Sequence, residues 1–385
     1  MSTTPVYICG VGMHRFGRFP EMSLKQLAAH AALEALADAG IGIGDVQAVF
    51  AANAYAGLLT GQESIRGETW MRPLGVGGAP VFNVENACAS GSTAVHLATL
   101  AVRSGAYDTV LVVGAEKMYV QDTHRTLKAL ESSTDLETLG GMGIQFMAID
   151  ALRVREFADE EGLTERDLAW TAVKAHENGA HNPMAQYQRP VTYEEVLGSR
   201  MIAEPIRLLM CSAISDGAAA VVISSRPRNP ARAVRIVASQ AMSSPFRDVA
   251  ATGLVRATAR RAYEEAGVGP EDLEIVELHD AVSPAELIYY RELGLCPPGE
   301  VAALARSGKT ERHGALPVNP SGGLNSRGHP VGATGVAQLC ELVWQMRGEA
   351  GARQVRHVPR VGLAHNNGGW MGEDPAVCIC HILQR

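Results

Sequence analysis

The sequence predicts an α/β protein in which one design is used twice, and three observations carry that prediction. A chain of 385 residues exceeds what a single hydrophobic core usually organises. Short β-branched runs alternate with Ala-rich segments whose apolar positions recur every three or four residues, the pattern of mixed sheets covered by helices. Residues 24–50 are also similar to residues 253–277. In each, an Ala-rich helix (Leu24, Leu27, Ala31 and Ala35; Val255, Ala259, Ala262 and Ala266) ends at Ala-Gly, passes an acidic turn and enters an apolar strand. Gly40 and Gly267, like Asp45 and Asp272, hold one common spacing.

Taken in order, residues 6–9 open the first copy as a β-branched strand, and the helix from Leu24 follows. Gly10-Val-Gly12 and Gly75-Val-Gly-Gly78 lack dinucleotide spacing and read as turns. A strand at Val84 runs through a small-residue turn into a helix to Ala98. Residues 117–204 change character: they are polar, predict helices over 149–160 and 165–177, and carry Arg125, Lys128, Arg153, Arg155 and Lys174. This stretch reads as an insertion into the first copy, a lid or substrate platform. The first half is therefore 1–116 with 205–230, closed by a strand over 218–223. The second half, 231–385, repeats the order with strands at 234–237 and 376–380. Ligands are expected near strand C-termini and helix N-termini.

Composition excludes several classes. No apolar run reaches the roughly 18 residues of a membrane span. The N-terminus has no export signal and the C-terminus no peroxisomal address. Seven scattered cysteines form no C-x-x-C pair, so neither a disulfide framework nor a zinc site is expected, and reduced cytoplasmic thiols are. The net charge of -7 comes from interspersed acids and bases without an Arg/Lys stripe, which argues against a nucleic-acid partner. His176 and His181 stand off one helical face and predict no metal site.

Two segments carry chemistry. Val84-Glu-Asn-Ala-Cys88-Ala-Ser-Gly and Asn325-Ser-Arg-Gly-His329-Pro-Val-Gly each pass through a turn into a helix. Superposing Gly91-Ser-Thr on Gly332-Ala-Thr sets Cys88 opposite His329, so copies packed about a pseudo-twofold axis would bring thiol and imidazole together. A helix N-terminus favours a thiolate by about 1 kcal/mol, which lowers a thiol only from about 8.5 to near 7.5, so a second base is required. His329 is placed to supply it, and the turn N–H groups to hold an oxyanion.

Asn86-Ala-Cys88-Ala-Ser-Gly, Ser215-Asp216-Gly217-Ala-Ala-Ala, and Gly328-His329-Pro330 followed by Gly332-Ala-Thr-Gly together resemble the thiolase superfamily, in order and across nearly the whole chain. The resemblance implies a duplicated, five-layer α-β-α-β-α thiolase fold with an inserted loop domain and a homodimer or homotetramer. It also implies acyl-CoA substrates, coenzyme A as co-substrate with no further cofactor, and an acyl-cysteine intermediate. His279-Asp280-Ala281-Val282 and His365-Asn366-Asn367-Gly368-Gly369 resemble the sterol-carrier-protein type of thiolase.

On this reading Cys88 is the nucleophile, His329 its base and an oxyanion donor, and His279 a further donor. Asp280, Asn367 and Gly368 support the oxyanion sites or their loops, and Ser212 lies along the pantetheine arm. The thiol of the sterol-carrier type is replaced by Ala281, which leaves His365 as the expected acid/base at the α-carbon. The expected activity is acyl-CoA C-acyltransfer on 3-oxoacyl-CoA. The alternatives are retro-aldol cleavage of a 3-hydroxyacyl-CoA with a small zinc-ribbon/OB-fold subunit, and a non-catalytic acyl-CoA or lipid scaffold.

Overall fold

The computed structural model describes residues 4–139, 145–244, 253–372 and 374–385. The first half comprises β1 (Tyr7–Gly17), α1 (Leu24–Ala39), β2 (Ala48–Ala52), α2 (Ala56–Thr60), α3 (Arg66–Met71), β3 (Val81–Val84), α4 (Ser90–Arg103) and β4 (Thr109–Lys117). The insertion follows with α5 (Thr123–Glu131), α6 (Phe146–Glu161), α7 (Glu165–Ala180), α8 (Tyr193–Gly198) and the small hairpin β5 (Met201–Ala203) and β6 (Ile206–Arg207). β7 (Asp216–Ser224) closes the first half. The second half contains β8 (Val234–Ser243), α9 (Leu254–Ala266), β9 (Ile275–Glu277), α10 (Ala285–Glu292), α11 (Val301–Arg306), α12 (Val331–Arg347), β10 (Val361–Met371) and β11 (Asp374–Gln384).

The duplication is explicit in the strand order β3-β2-β4-β7-β1-β8-β11-β10-β9. In the first half β7 lies antiparallel between β1 and β4, and β4 runs parallel to β2. In the second, β11 lies antiparallel between β8 and β10, and β10 runs parallel to β9. A parallel bridge from Val276 to Val318 stands where β3 stands beside β2. The half-sheets join at one edge, through Tyr7 with Arg235 and Ile8 with Val234. Helix α1 covers the outer face of one half-sheet and α9 that of the other, while α4 and α12 share the layer between them. Five layers result.

Local chemistry explains the matching elements. Ser23 and Gln26 cap α1 reciprocally, and the helices α1 and α9 both end on a left-handed glycine, Gly40 and Gly267, each at φ 68°. Asp45 and Asp272 then accept the N–H of Gly42 and Gly269. Gly10 and Gly12 are not turns: they lie inside β1, where a Cβ would strike the backbone of α1 at Ala35 and Ala31. Bare backbone at those positions is what lets an Ala-rich helix lie so close to the sheet. Gly75 and Gly78 do occupy turns, at φ 85° and 80°.

The inner helices cross on small residues as well. A Cβ on Gly91 would lie 2.8 Å from the Gly332 carbonyl oxygen, and one on Gly335 would strike Ser92. The N-termini of α4 and α12, which carry the two reactive motifs, are thereby brought side by side. No described helix is long and apolar enough to cross a membrane.

Candidate active site

Cys88 sits in a single 3-10 turn, Ala87–Ala89, between β3 and α4. Ala87 is held at φ 48°, a left-handed conformation that costs an L-residue about 1 kcal/mol or more and is found where a side chain must be presented sharply. The surrounding polar groups fix it there: Ser90 Oγ accepts from Asn86 N–H and donates to the Ala87 carbonyl, and Asn86 Nδ2 donates to Thr93 Oγ1. Gly368 lies against this turn, where a Cβ would strike the Asn86 carbonyl. The N–H groups of Cys88 itself and of Gly369 point at the sulfur.

His329 and His279 meet the sulfur. One ring nitrogen from each imidazole and the Cys88 Sγ all lie within 4.8 Å of one another, and the two rings pack edge to face at 5.2 Å. The expected apposition of thiol and imidazole across the two copies is realised.

Hydrogen bonds assign the two imidazoles different tautomers. Thr334 Oγ1 donates to the Pro330 carbonyl, so it accepts from Nδ1–H of His329 at 2.7 Å. His329 Nε2 therefore carries a lone pair, and it is buried with no partner among the described residues. In contrast, Gln338 donates Nε2 to the His365 carbonyl, so its Oε1 accepts from Asn366 Nδ2. That orients the Asn366 amide to donate to His279 Nδ1 at 3.3 Å, which leaves the proton on Nε2. His329 is a base and His279 a donor. Three donor atoms within 4.8 Å meet the spacing of a metal site, but an imidazole locked with its proton on the inward nitrogen is a poor metal ligand.

Burial decides the ionisation states. It pushes the Cys88 thiol up to about 12, with the carboxyls of Asp150 and Glu116 adding to the rise. It holds His329 down at about 3, helped by the charge of Arg327, and His279 well below the usual imidazole range. The sequence reading placed the thiol near 7.5 from the helix field alone. That field is the smaller effect here, and the resting pair is neutral thiol with neutral imidazole.

These groups open on a cavity of about 420 Å³ whose walls are mostly apolar, among them Leu127, Leu130, Phe146, Met147, Ile202 and Trp370. Cys88, His279, His329, Asn367, Gly368 and Ser212 all line it. Ser212 is tied to the His279 loop, since its N–H donates to the Ala281 carbonyl at 3.0 Å. Asn367 donates Nδ2 to the Tyr289 hydroxyl at 3.0 Å, and the N–H facing the sulfur belongs to Gly369 instead.

Asp280 is fully buried behind the site, where its Oδ1 accepts from Leu324 N–H and so fixes the turn that leads to His329. His365 is not on the cavity wall. It is fully buried, with Nδ1 accepting from His279 N–H at 3.5 Å and its ring against Tyr289 at 4.6 Å. It shares a face of β10 with Asn367 but is set back outside the cavity lining, so the expected reach to a substrate α-carbon is corrected to a supporting contact.

Lys174, one of the bases of the insertion, is also unavailable to substrate: it is buried in an ion pair with Glu286 and donates to the Val318 carbonyl at 3.0 Å. Among the residues that sequence reasoning missed, Glu116 accepts from Asn53, Ala54, Tyr55 and Gly332, tying the end of β4 to the first turn of α12. Asp150 and Tyr289 line the cavity from α6 and α10, and no motif marks either of them.

Comparison with known proteins gives the same pattern over the full length. The family described as "Thiolase, N-terminal domain" matches residues 6–227 and "Thiolase C-terminal domain-like" matches residues 237–381. An acetyl-CoA acetyltransferase of Methanothermobacter thermautotrophicus is 39% identical over 99% of both chains. The benzoylsuccinyl-CoA thiolase subunit BbsB of Thauera aromatica is 39% identical over 94% of both. Human sterol carrier protein 2 is 34% identical over 94% of this chain and 70% of its own length. Among solved structures, an Ltp2-ChsH2(DUF35) aldolase superposes with a TM-score of 0.83 at 27% identity, covering 100% of this chain and 98% of that one.

Proposed function

The chain belongs to the thiolase family, and from that premise we propose that it is an acyl-CoA C-acyltransferase acting on 3-oxoacyl-CoA thioesters through an acyl-Cys88 intermediate. The observation that carries this reading is the neutral Cys88 thiol facing an unprotonated His329 Nε2 and a proton-bearing His279 Nε2 in one apolar cavity. Cys88 attacks the 3-oxo carbon as its proton passes to His329. The alkoxide that forms is held by His279 Nε2–H and by the newly protonated His329 Nε2–H. A dry site strengthens both contacts.

Collapse of the alkoxide breaks the bond between the 2 and 3 carbons. An acyl-CoA enolate leaves, and the acyl group remains on sulfur beneath the N–H groups of Cys88 and Gly369. The enolate takes a proton, coenzyme A attacks the thioester, and the Cys88 sulfur recovers its proton from His329. Gly368 gives the nucleophile's turn its room, Asp280 fixes the loop before His329, and Asn367 orders Tyr289. Ser212, at the cavity edge, is assigned to the pantetheine arm. His365 orders His279 and Tyr289.

The mass of the protein tests this directly. Incubation with a 3-oxoacyl-CoA in the absence of coenzyme A is expected to leave the acyl group on Cys88. No adduct, together with full activity of Cys88→Ala, overturns the assignment.

A retro-aldol reading is favoured by one observation, the likeness over the whole chain to a structure described as an aldolase with a DUF35 component. In that reading Cys88 is dispensable, a 3-hydroxyacyl-CoA is the substrate, and a small zinc-ribbon/OB-fold partner is required. Product analysis with 3-oxoacyl and 3-hydroxyacyl substrates separates the two. A homodimer or homotetramer is proposed for the assembly.

A further inference from the structure

Cleavage of a 3-oxoacyl-CoA leaves an enolate that must be protonated on its α-carbon; Ala281 stands where the resemblance to the sterol-carrier type implies a thiol, and His365 is the acid/base expected in its stead. Ala281 has no proton to give. His365 does not reach the cavity. His329, protonated during the attack, is committed to returning that proton to the Cys88 sulfur, so the donor is sought among the other groups on the cavity wall.

Among the described residues, besides Cys88, His279 and His329, the titratable ones on the cavity wall that can give a proton are Glu131, Asp150, Cys211 and Tyr289. Burial pushes Cys211 up to about 12, and its thiol is directed at the Arg207 carbonyl. Burial also raises Tyr289 above the usual phenol range, and its hydroxyl is held by Asn367. Glu131 ends α5 at the rim and is only half-buried. Asp150 differs from all three. It lies on the buried side of α6, is 5% exposed, and its carboxyl lines the same apolar cavity as the sulfur. Its charge is the foremost one felt by the Cys88 thiol. Among the described residues nothing hydrogen-bonds it, and the Arg153 guanidinium acts on it by charge alone.

We infer that Asp150 is the acid/base at the α-carbon of the departing acyl-CoA, in the place left by the absent second thiol. The inference rests on the acyltransferase reading above. Burial supplies the working range: the carboxyl is pushed up to about 6, so that both forms are present near neutral pH. In cleavage, the O–H bond of Asp150 breaks as a C–H bond forms on the enolate carbon, leaving a carboxylate. The thiol proton of incoming coenzyme A restores the acid as the CoA sulfur attacks acyl-Cys88. Condensation runs the same steps backwards, with the carboxylate removing an α-proton.

Deuterium exchange tests this apart from carbon–carbon cleavage. With acetyl-CoA or propionyl-CoA in D₂O, the wild-type protein is expected to wash deuterium into the α-position. Asp150→Asn, which preserves size, is expected to slow exchange by about 100-fold or more. Its Cys88 should still be alkylated by iodoacetamide at a rate within about threefold of wild type. Asp150→Ala is expected to regain exchange on addition of formate, a response that a merely structural role would not give.

Undiminished exchange in Asp150→Asn overturns the assignment while leaving Cys88 acylation, and so the acyltransferase reading, intact. Loss of exchange together with loss of alkylation makes Asp150 a structural group and also overturns it. A wild-type protein that neither exchanges nor acylates Cys88 removes the acyltransferase reading and this inference with it.

Discussion

At the scale of single residues, burial outweighs every other influence on the reactive pair. The start of α4 offers its sulfur about 1 kcal/mol, whereas loss of water moves Cys88 to about 12 and His329 to about 3. The thiol therefore ionises only as it attacks. Iodoacetamide alkylation of Cys88 is expected to climb steadily with pH from about 6 to about 10, because the reactive thiolate grows tenfold per unit below its pKa. A plateau across neutral pH would show a preformed thiolate–imidazolium pair instead. The partnership of Cys88 and His329 was legible in the sequence because two copies repeat one spacing. Their protonation was not, since the tautomers depend on hydrogen bonds made by Thr334 and, through Asn366, by Gln338, and a motif names residues without saying which of them donates. The placement of His365 was equally hidden: a strand buried on both faces gives no polar alternation from which to read its direction.

At the scale of elements, the site is held by helix starts and strand ends that lie far apart in the chain. Glu116 is the clearest case. Burial pushes its carboxyl up to about 7, yet four donors and no acceptor face it, so the ionised form fits the cluster. Glu116→Gln would turn an NH₂ group toward those donors and release the first turn of α12 beside His329. A stability loss of about 2–4 kcal/mol is expected in denaturant titration. An unchanged midpoint would mean that the cluster does not hold the helix. The repeated helix-turn-strand units were readable from periodicity and from Gly40 and Gly267. The length of β1 was not: Gly10 and Gly12 look like turn residues until α1 is seen lying over them.

At the scale of the whole molecule, the insertion is bound to the second half from within. Lys174 of α7 is buried against Glu286 of α10, and removing one partner strands the other's charge. Lys174→Ala is expected to lose about 3–5 kcal/mol, and Lys174→Met with Glu286→Leu to recover most of it, both read from unfolding midpoints. Equal losses in the single and double variants would show that the pair carries no such role. Lys174 was among the bases that marked the insertion as a lid or substrate platform, because sequence alone does not tell a solvated lysine from one enclosed by two helices. The two reactive motifs, by contrast, come from different copies and meet only where α4 and α12 cross. A chain severed between the halves would therefore yield two inert fragments, and turnover would return only on their reassociation, making catalysis itself a sensor of whether the copies have found each other.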